Sequence, residues 1–322
     1  MNKFLNPKLF SKDVEMIPTR NGYGDGVVEA GRANPNVVVL CCDLVESTRS
    51  LPFAQAFPQR FFEMGVAEQN MAGVGAGMAA TGKIPFISSY AVFSPGRNWD
   101  QIRVSIAYSN LNVKIMGAHS GISVGPDGAT HQALEDIAIM RVLPNMVVLA
   151  PCDAHEARKA VLAAAKYVGP VYIRFTREKT PVITRPSTPF EIGKAVVLRE
   201  GSDVTLIACG PLVYEALLAA EQLSKRGIDA EVINCPSIKP LDKKTILKSV
   251  QKTGAAVTVE EHQTTGGLFG AIAEFLSQTN PVPIIPVGMD DTFGESGTPE
   301  ELLKKYGMKA VNIVAAAQKI LK

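Results

Sequence analysis

No stretch of this chain approaches the ~20 consecutive apolar residues that cross a bilayer. Its opening, MNKFLNPKLFSKDVEM, is interrupted by Lys3, Lys8, Lys12 and Asp13 before a signal-peptide core can form. A cytosolic (cytoplasmic) protein with no membrane partner is therefore expected. An excess of one charge is lacking as well: 33 Lys plus Arg face 31 Asp plus Glu, a formal charge of +2. Nucleic-acid binding calls for a basic stripe, so no nucleic-acid partner is expected. The five cysteines, Cys41, Cys42, Cys152, Cys209 and Cys235, form no C-x-x-C pair and sit mostly in apolar runs, which reads as buried reduced thiols. Histidine is scarce, at four residues, yet two of them, His119 and His131, share one Gly-rich stretch, which is unusual for structural use.

What is present is an alternation of short β-branched runs with longer helical patterns, the mark of an α/β fold with mainly parallel sheets. VVVL (37–40), IPFIS (84–88), VKIMGA (113–118), MVVLA (146–150) and VYIRF (171–175) read as strands, and the segments 67–82, 96–110, 131–142 and 153–167 between them read as helices. The strands lack polar alternation, so helices should cover both faces of their sheet. At 322 residues the chain exceeds the usual single-domain size. The alternation breaks at TREKTPVITRPSTPFEIGK, which holds three prolines, and resumes from DVTLIACG onwards. The expectation is two α/β domains, each a mainly parallel sheet with helices on both faces: residues 1–178, a linker over 179–194, and residues 195–322.

Three segments carry a resemblance: FFEMGVAEQNMAGVGAGMAATGKIPFISSYAVF, DQIR and GAHSGISVGPDGATHQALEDIAIMRVLPNM. At these residues the sequence resembles transketolase, in its pyrimidine-binding and C-terminal domains. Deoxyxylulose phosphate synthase and the β subunit of 2-oxo acid dehydrogenases share the first segment loosely, and the DGATHQ and MR..PNM runs point to the transketolase side. The resemblance runs from about Met16 to Leu321 without the diphosphate-binding domain that precedes these parts in full-length enzymes. It therefore implies one subunit of a two-gene, thiamine-diphosphate-dependent transketolase, transferring a two-carbon ketol unit between sugar phosphates. Such a subunit is expected to be inactive alone and to join an N-terminal subunit that binds most of the Mg2+ and diphosphate, as two of each chain in a heterotetramer. A non-enzymatic binding protein that kept the fold is the rival from another class, and retention of both Glu68 and His131 argues against it.

The resemblance also implies residue roles. Glu68, in GVAEQN, matches the glutamate that hydrogen-bonds N1' of the cofactor, where a carboxylic acid promotes the imino form needed to deprotonate C2. Tyr90 and Phe93 match the aromatic slot for the pyrimidine. A third aromatic of that slot falls at Gly96 here, and Trp99 is considered as its substitute. His131 matches the histidine beside the reacting carbon, and His119 and Asp127 keep the spacing of substrate-contacting residues; imidazoles serve there because ketol transfer creates and collapses alkoxides. Arg177, Arg20 and Ser47 fall at phosphate-contacting positions, suited to the bidentate grip of a guanidinium. Asp43 either contacts the cofactor or holds its loop. His262 reads as structural. Gly24-Asp25-Gly26 imitates the start of a Mg-diphosphate motif, but the later window, Ser50 to Ala54, holds no asparagine. It is read as a helix start, and no metal site wholly inside this chain is expected.

Overall fold

The computed structural model describes residues 2–322. Seven strands form the first sheet, in the spatial order Ser237–Lys239, Val147–Leu149, Val171–Arg174, Lys114–Ala118, Ile84–Tyr90, Val37–Cys41, Phe61–Glu63. All pair in parallel except Ser237–Lys239, which runs antiparallel to Val147–Leu149. Five strands form the second: Ile284–Met289, Ala256–Gln263, Val204–Ala208, Ala230–Asn234 and the antiparallel edge Val196–Arg199. Val37–Cys41 is buried throughout, as a strand covered on both faces must be. Val37 and Val39 enter one core with Tyr23, Phe53 and Val161, and Val38 and Leu40 enter another with Met71 and Ile106. That second core does not stop at the domain: Ile207, Ile233, Ile246 and Leu268 of the other sheet and its helices belong to it. Among the described residues no helix is long and apolar enough to cross a membrane, and all five cysteines are free and buried.

Four local readings of the sequence change in the structure. Gly24-Asp25-Gly26 does not start a helix but lies inside Thr19–Ala33. Gly26, with Gly22 before the motif, serves close packing against the helix Ala154–Lys166: a Cβ on Gly22 would stand 2.2 Å from the Ala154 carbonyl oxygen, and one on Gly26 2.9 Å from Val161 Cβ, while Gly24 lies against Arg49. The helix expected over 131–142 is confined to Asp136–Arg141, because Ala133 is held extended in a bridge to Ser120. The N-terminal segment, read with the first domain, packs on the second: Leu5 and Leu9 are buried among Val204, Leu212 and Leu217, and Asn2 Nδ2 donates to the Val197 carbonyl at 2.9 Å. Within the stretch read as linker, Lys179–Pro181 forms a two-stranded ribbon with Met16–Pro18.

What fixes the chain beyond that ribbon is one carboxylate. Asp153 caps the helix Ala154–Lys166, accepting from the Glu156 N–H at 2.8 Å. It also accepts from the Ile183 N–H at 2.8 Å, the Thr184 N–H at 2.5 Å and the Thr184 hydroxyl at 3.0 Å, all out of water. Asp153→Ala leaves three buried N–H donors without an acceptor, each costing about 1–3 kcal/mol. Urea unfolding is expected to show a loss of about 3 kcal/mol or more, and Asp153→Asn, which keeps one acceptor oxygen, a smaller loss. Equal stability of Asp153→Ala and the unmodified chain would contradict this account.

Candidate active site

Glu68 is the first residue of the helix Glu68–Ala80 and is 1% exposed. Its Oε1 accepts from Ser89 Oγ at 3.1 Å, and its Oε2 pairs with Arg97 Nη1 at 2.7 Å. Asn98 Nδ2 donates to the Glu68 carbonyl at 3.1 Å. An isolated carboxylate at this depth would be costly; Arg97, partly open to water, neutralises it. The Arg97 guanidinium also lies 4.6 Å from the centre of the Phe93 ring, a cation-π distance.

Tyr90 ends the strand Ile84–Tyr90, and Phe93 follows one turn later. Their rings lie nearly parallel, at 15° with centroids 6.1 Å apart. Tyr90 stacks on His119 at 3.8 Å, and His131 meets Tyr90 and Phe93 edge-on at 6.2 and 5.5 Å. Glu68, Tyr90, Phe93, His119 and His131 thus come from three separate segments into one cluster with Arg97. The missing wall at Gly96 has a steric cause, since a Cβ there would stand 2.0 Å from the Val92 carbonyl oxygen. Trp99 does not replace it: its indole N–H donates to the Ile139 carbonyl at 2.8 Å, and its ring packs on the core.

A second group of residues adjoins the first through His119. Arg20 Nη1 lies 3.5 Å from His119 Nε2 and donates to the Ser47 carbonyl at 2.8 Å, so Ser47 meets Arg20 through its backbone. Arg177 Nη1 bonds Asp127 Oδ1 at 3.2 Å and the Val124 carbonyl at 3.0 Å. Burial lowers the pKa of Arg20, helped by the charges of Arg49 and Arg177. His119 is buried at φ 55°, a region non-glycine residues seldom occupy and one associated with functional sites. Burial first, then Arg20, Arg177 and His131, push its pKa down to about 3, so its imidazole is neutral at physiological pH. His119 Nδ1 and Arg20 Nε are buried with no hydrogen-bond partner among the described residues. Asp43 stands apart: its N–H donates to Glu63 Oε1 at 2.7 Å, and among the described residues no hydrogen bond joins its side chain to either group. His262 is sealed in the interior, with Nδ1 2.7 Å from the Gln263 carbonyl and Nε2 accepting from the Ala138 N–H at 3.3 Å, a structural placement.

Arg97 and Arg49 were not legible as site residues. Arg97 falls at the start of the helix expected over 96–110 with no motif around it, and only its position four residues after Phe93 hints at a shared face. Arg49, whose Nε bonds Asn21 Oδ1 at 2.9 Å, carries no sequence signal.

Residues 15–182 match the family described as transketolase, pyrimidine binding domain, and residues 193–313 match transketolase, C-terminal domain. A "Putative transketolase C-terminal section" of Methanocaldococcus jannaschii is 48% identical over 91% of this chain and 93% of its own. The "6-deoxy-6-sulfo-D-fructose transketolase subunit SqwH" of Clostridium sp. is 44% identical over 94% of each. A solved structure described as "Split gene transketolase, inactive beta4 tetramer" superposes with a TM-score of 0.89 at 51% identity, covering 95% of this chain and 98% of that one.

The state of His119 is open to titration. Because its folded pKa lies below the ordinary value of 6.5, its contribution to stability is present above about 6.5 and is lost as pH falls towards about 3. Over pH 7 to 5 this amounts to about 2 kcal/mol. His119→Asn, which tolerates the left-handed backbone, should lose correspondingly less stability over that window in paired urea titrations. Identical slopes would mean that the folded histidine protonates as freely as the unfolded one.

Proposed function

Because the chain belongs to the transketolase family, we propose that it is the pyrimidine-holding subunit of a thiamine-diphosphate-dependent transketolase that moves a two-carbon ketol unit between sugar phosphates. In this reading it works only with a second subunit that carries the diphosphate and most of the Mg2+ contacts, in an assembly of two of each chain. The observation that carries the proposal is a buried carboxylate, Glu68, set beside the Tyr90–Phe93 pair and two histidines. A related split-gene transketolase described as an inactive β4 tetramer supports the expectation that the chain self-associates without activity.

The residues present fit the cofactor's pyrimidine end. A heteroaromatic ring with one basic nitrogen needs a carboxyl group and a flat apolar wall, and Glu68, Tyr90 and Phe93 supply these. Asp43 either contacts the same cofactor or holds its loop, where its N–H donates to Glu63 Oε1. When bound, thiamine diphosphate supplies a carbon nucleophile and an electron sink. Glu68 holds and exchanges the proton at N1', which requires Arg97 to share or release its carboxylate. His119, neutral and with an unpartnered Nδ1, is suited to hydrogen-bond a substrate oxygen without adding charge. His131 moves protons at the substrate oxygen beside the reacting carbon, and Asp127 accepts from a sugar hydroxyl. Arg20, Arg177 and the Ser47 segment take the substrate's phosphate. A relative named for 6-deoxy-6-sulfo-D-fructose is consistent with a sugar that ends in an anion.

Reconstitution with a partner subunit carrying a complete diphosphate motif tests the assignment. The chain alone is expected to transfer nothing, and the mixture to transfer ketol units. Glu68→Gln should lower turnover far more than assembly, since the amide keeps the shape but not the proton exchange at N1'. Turnover near that of the unmodified mixture removes Glu68 from the mechanism.

Arg177→Ala tests the substrate class separately. Losing a charge-assisted contact worth about 1.5–3 kcal/mol should raise the KM for a ketose phosphate roughly ten- to a hundredfold with kcat less affected. Hydroxypyruvate, which has no phosphate, should keep its KM. Equal damage to both donors refutes the phosphate role.

A further inference from the structure

The segment that carries His119, Asp127 and His131 has little means of holding its own shape. Its backbone takes positive φ at His119, Gly121, Gly125 and Gly128, and its one short helical turn, Ile122–Asp127, is broken at Gly125. Outside that turn its internal backbone bonds run from Gly128 N–H to the Gly125 carbonyl at 3.1 Å and from His131 N–H to the Gly128 carbonyl at 3.0 Å. Within the first domain the Ser120 N–H donates to the Phe175 carbonyl at 3.0 Å and Arg177 bonds the Val124 carbonyl and Asp127; the remaining support comes from the other domain. The Ser123 N–H donates to Glu261 Oε1 at 2.5 Å, and Gln132 Nε2 donates to the Glu295 carbonyl at 2.9 Å. The surfaces meet where neither side has room for a side chain: a Cβ on Gly121 would stand 2.4 Å from Glu261 Oε1, and one on Gly294 2.0 Å from Gln132 Oε1.

We propose that Glu261 is a positioning residue: its carboxylate, reaching across from the second domain, holds the loop that presents His119, Asp127 and His131. The proposal rests on the assignment of those three residues to the substrate. Glu261 is 3% exposed and sits on the strand Ala256–Gln263. Its own carbonyl accepts from Nη1 and Nη2 of Arg174, both at 3.2 Å. The strand is thus anchored independently of the carboxylate, so changing the side chain releases the loop and leaves Glu261's backbone in place. A loop displaced by about 1 Å is enough to lower a rate a hundredfold when it positions reacting groups.

Two measurements on Glu261→Ala and Glu261→Gln test this. In the chain alone, hydrogen exchange of the Ser123 amide should quicken about tenfold or more in Glu261→Ala, since the amide loses its acceptor. In Glu261→Gln, whose amide oxygen still accepts, it should stay within about threefold of the unmodified chain. In the reconstituted assembly, Glu261→Ala should lower kcat/KM for a ketose phosphate about ten- to a hundredfold. Its thiamine diphosphate affinity, carried by Glu68 and the ring pair on other elements, should change less than about threefold. Glu261→Gln should recover most of the rate. Unchanged Ser123 exchange in Glu261→Ala overturns the proposal, and so does a parallel fall in cofactor affinity and kcat/KM in both variants, which marks general destabilisation. If the unmodified assembly transfers no ketol units, the functional reading fails alone, and the Ser123 exchange still decides whether Glu261 holds the loop.

Discussion

The guanidinium of Arg174 sits where the parts of this molecule meet. It ends the strand Val171–Arg174 and is almost wholly out of water. Nε and Nη2 bond the two oxygens of Asp136 at 2.9 and 3.0 Å, and the same group reaches the carbonyls of Ala133 and Glu261. Asp136 opens the helix Asp136–Arg141 and also accepts from Tyr172 Oη at 2.6 Å. One cation therefore ties the first sheet to the segment following the site loop and to the second sheet. A buried ion pair is no guarantee of stability, because desolvation offsets much of the attraction. Its value here is geometric: the planar fork admits one arrangement of the elements it joins, and removing either charge would strand the other in the interior.

The same logic governs the site. The cations Arg20, Arg49 and Arg177 lie near one another, and Asp127 and Glu178 both pair with Arg177. A neutral His119 among them avoids a further positive charge. On the opposite side Arg97 offsets Glu68. The region thus holds an excess of positive charge towards Arg20 and a balanced pair at Glu68, so an anion is drawn to one end and a neutral ring fits the other. The helix that begins with Glu68 leaves Gly73 and Gly77 facing open space, which allows another surface to approach its backbone closely.

Much of this was legible from residue patterns because the relevant physics is local. Uniformly apolar runs such as 37–40 and 84–88 became parallel strands buried on both faces, and Tyr90, Phe93, His119 and His131, singled out through the resemblance, lie together. The parts that escaped depend on contacts distant in sequence. Residues 131–135 have a helical pattern, yet the Ser120–Ala133 bridge holds Ala133 out of a helix. Leu5 and Leu9 look like an unremarkable amino-terminal stretch until the second domain offers them a groove. Arg97 stands in a segment read as helix with no motif to mark it, and only the folded backbone brings it to Glu68. Gly24-Asp25-Gly26 reads as a helix start, whereas Gly26, like Gly22, lets two helices touch and Gly24 lies against Arg49.

The strand Ser237–Lys239 completes the first sheet although some sixty residues of other structure separate it from that sheet's last sequential strand. During synthesis the chain emerges from its amino end, so Val147–Leu149 must wait with an open edge until residue 239 has left the ribosome. For that interval the nascent first domain exposes unpaired N–H and C=O groups beside an unfinished apolar core, the condition that favours pairing between neighbouring chains. Closing the edge late makes the second domain's arrival the event that ends this exposure. A truncation anywhere before residue 237 would leave it permanent.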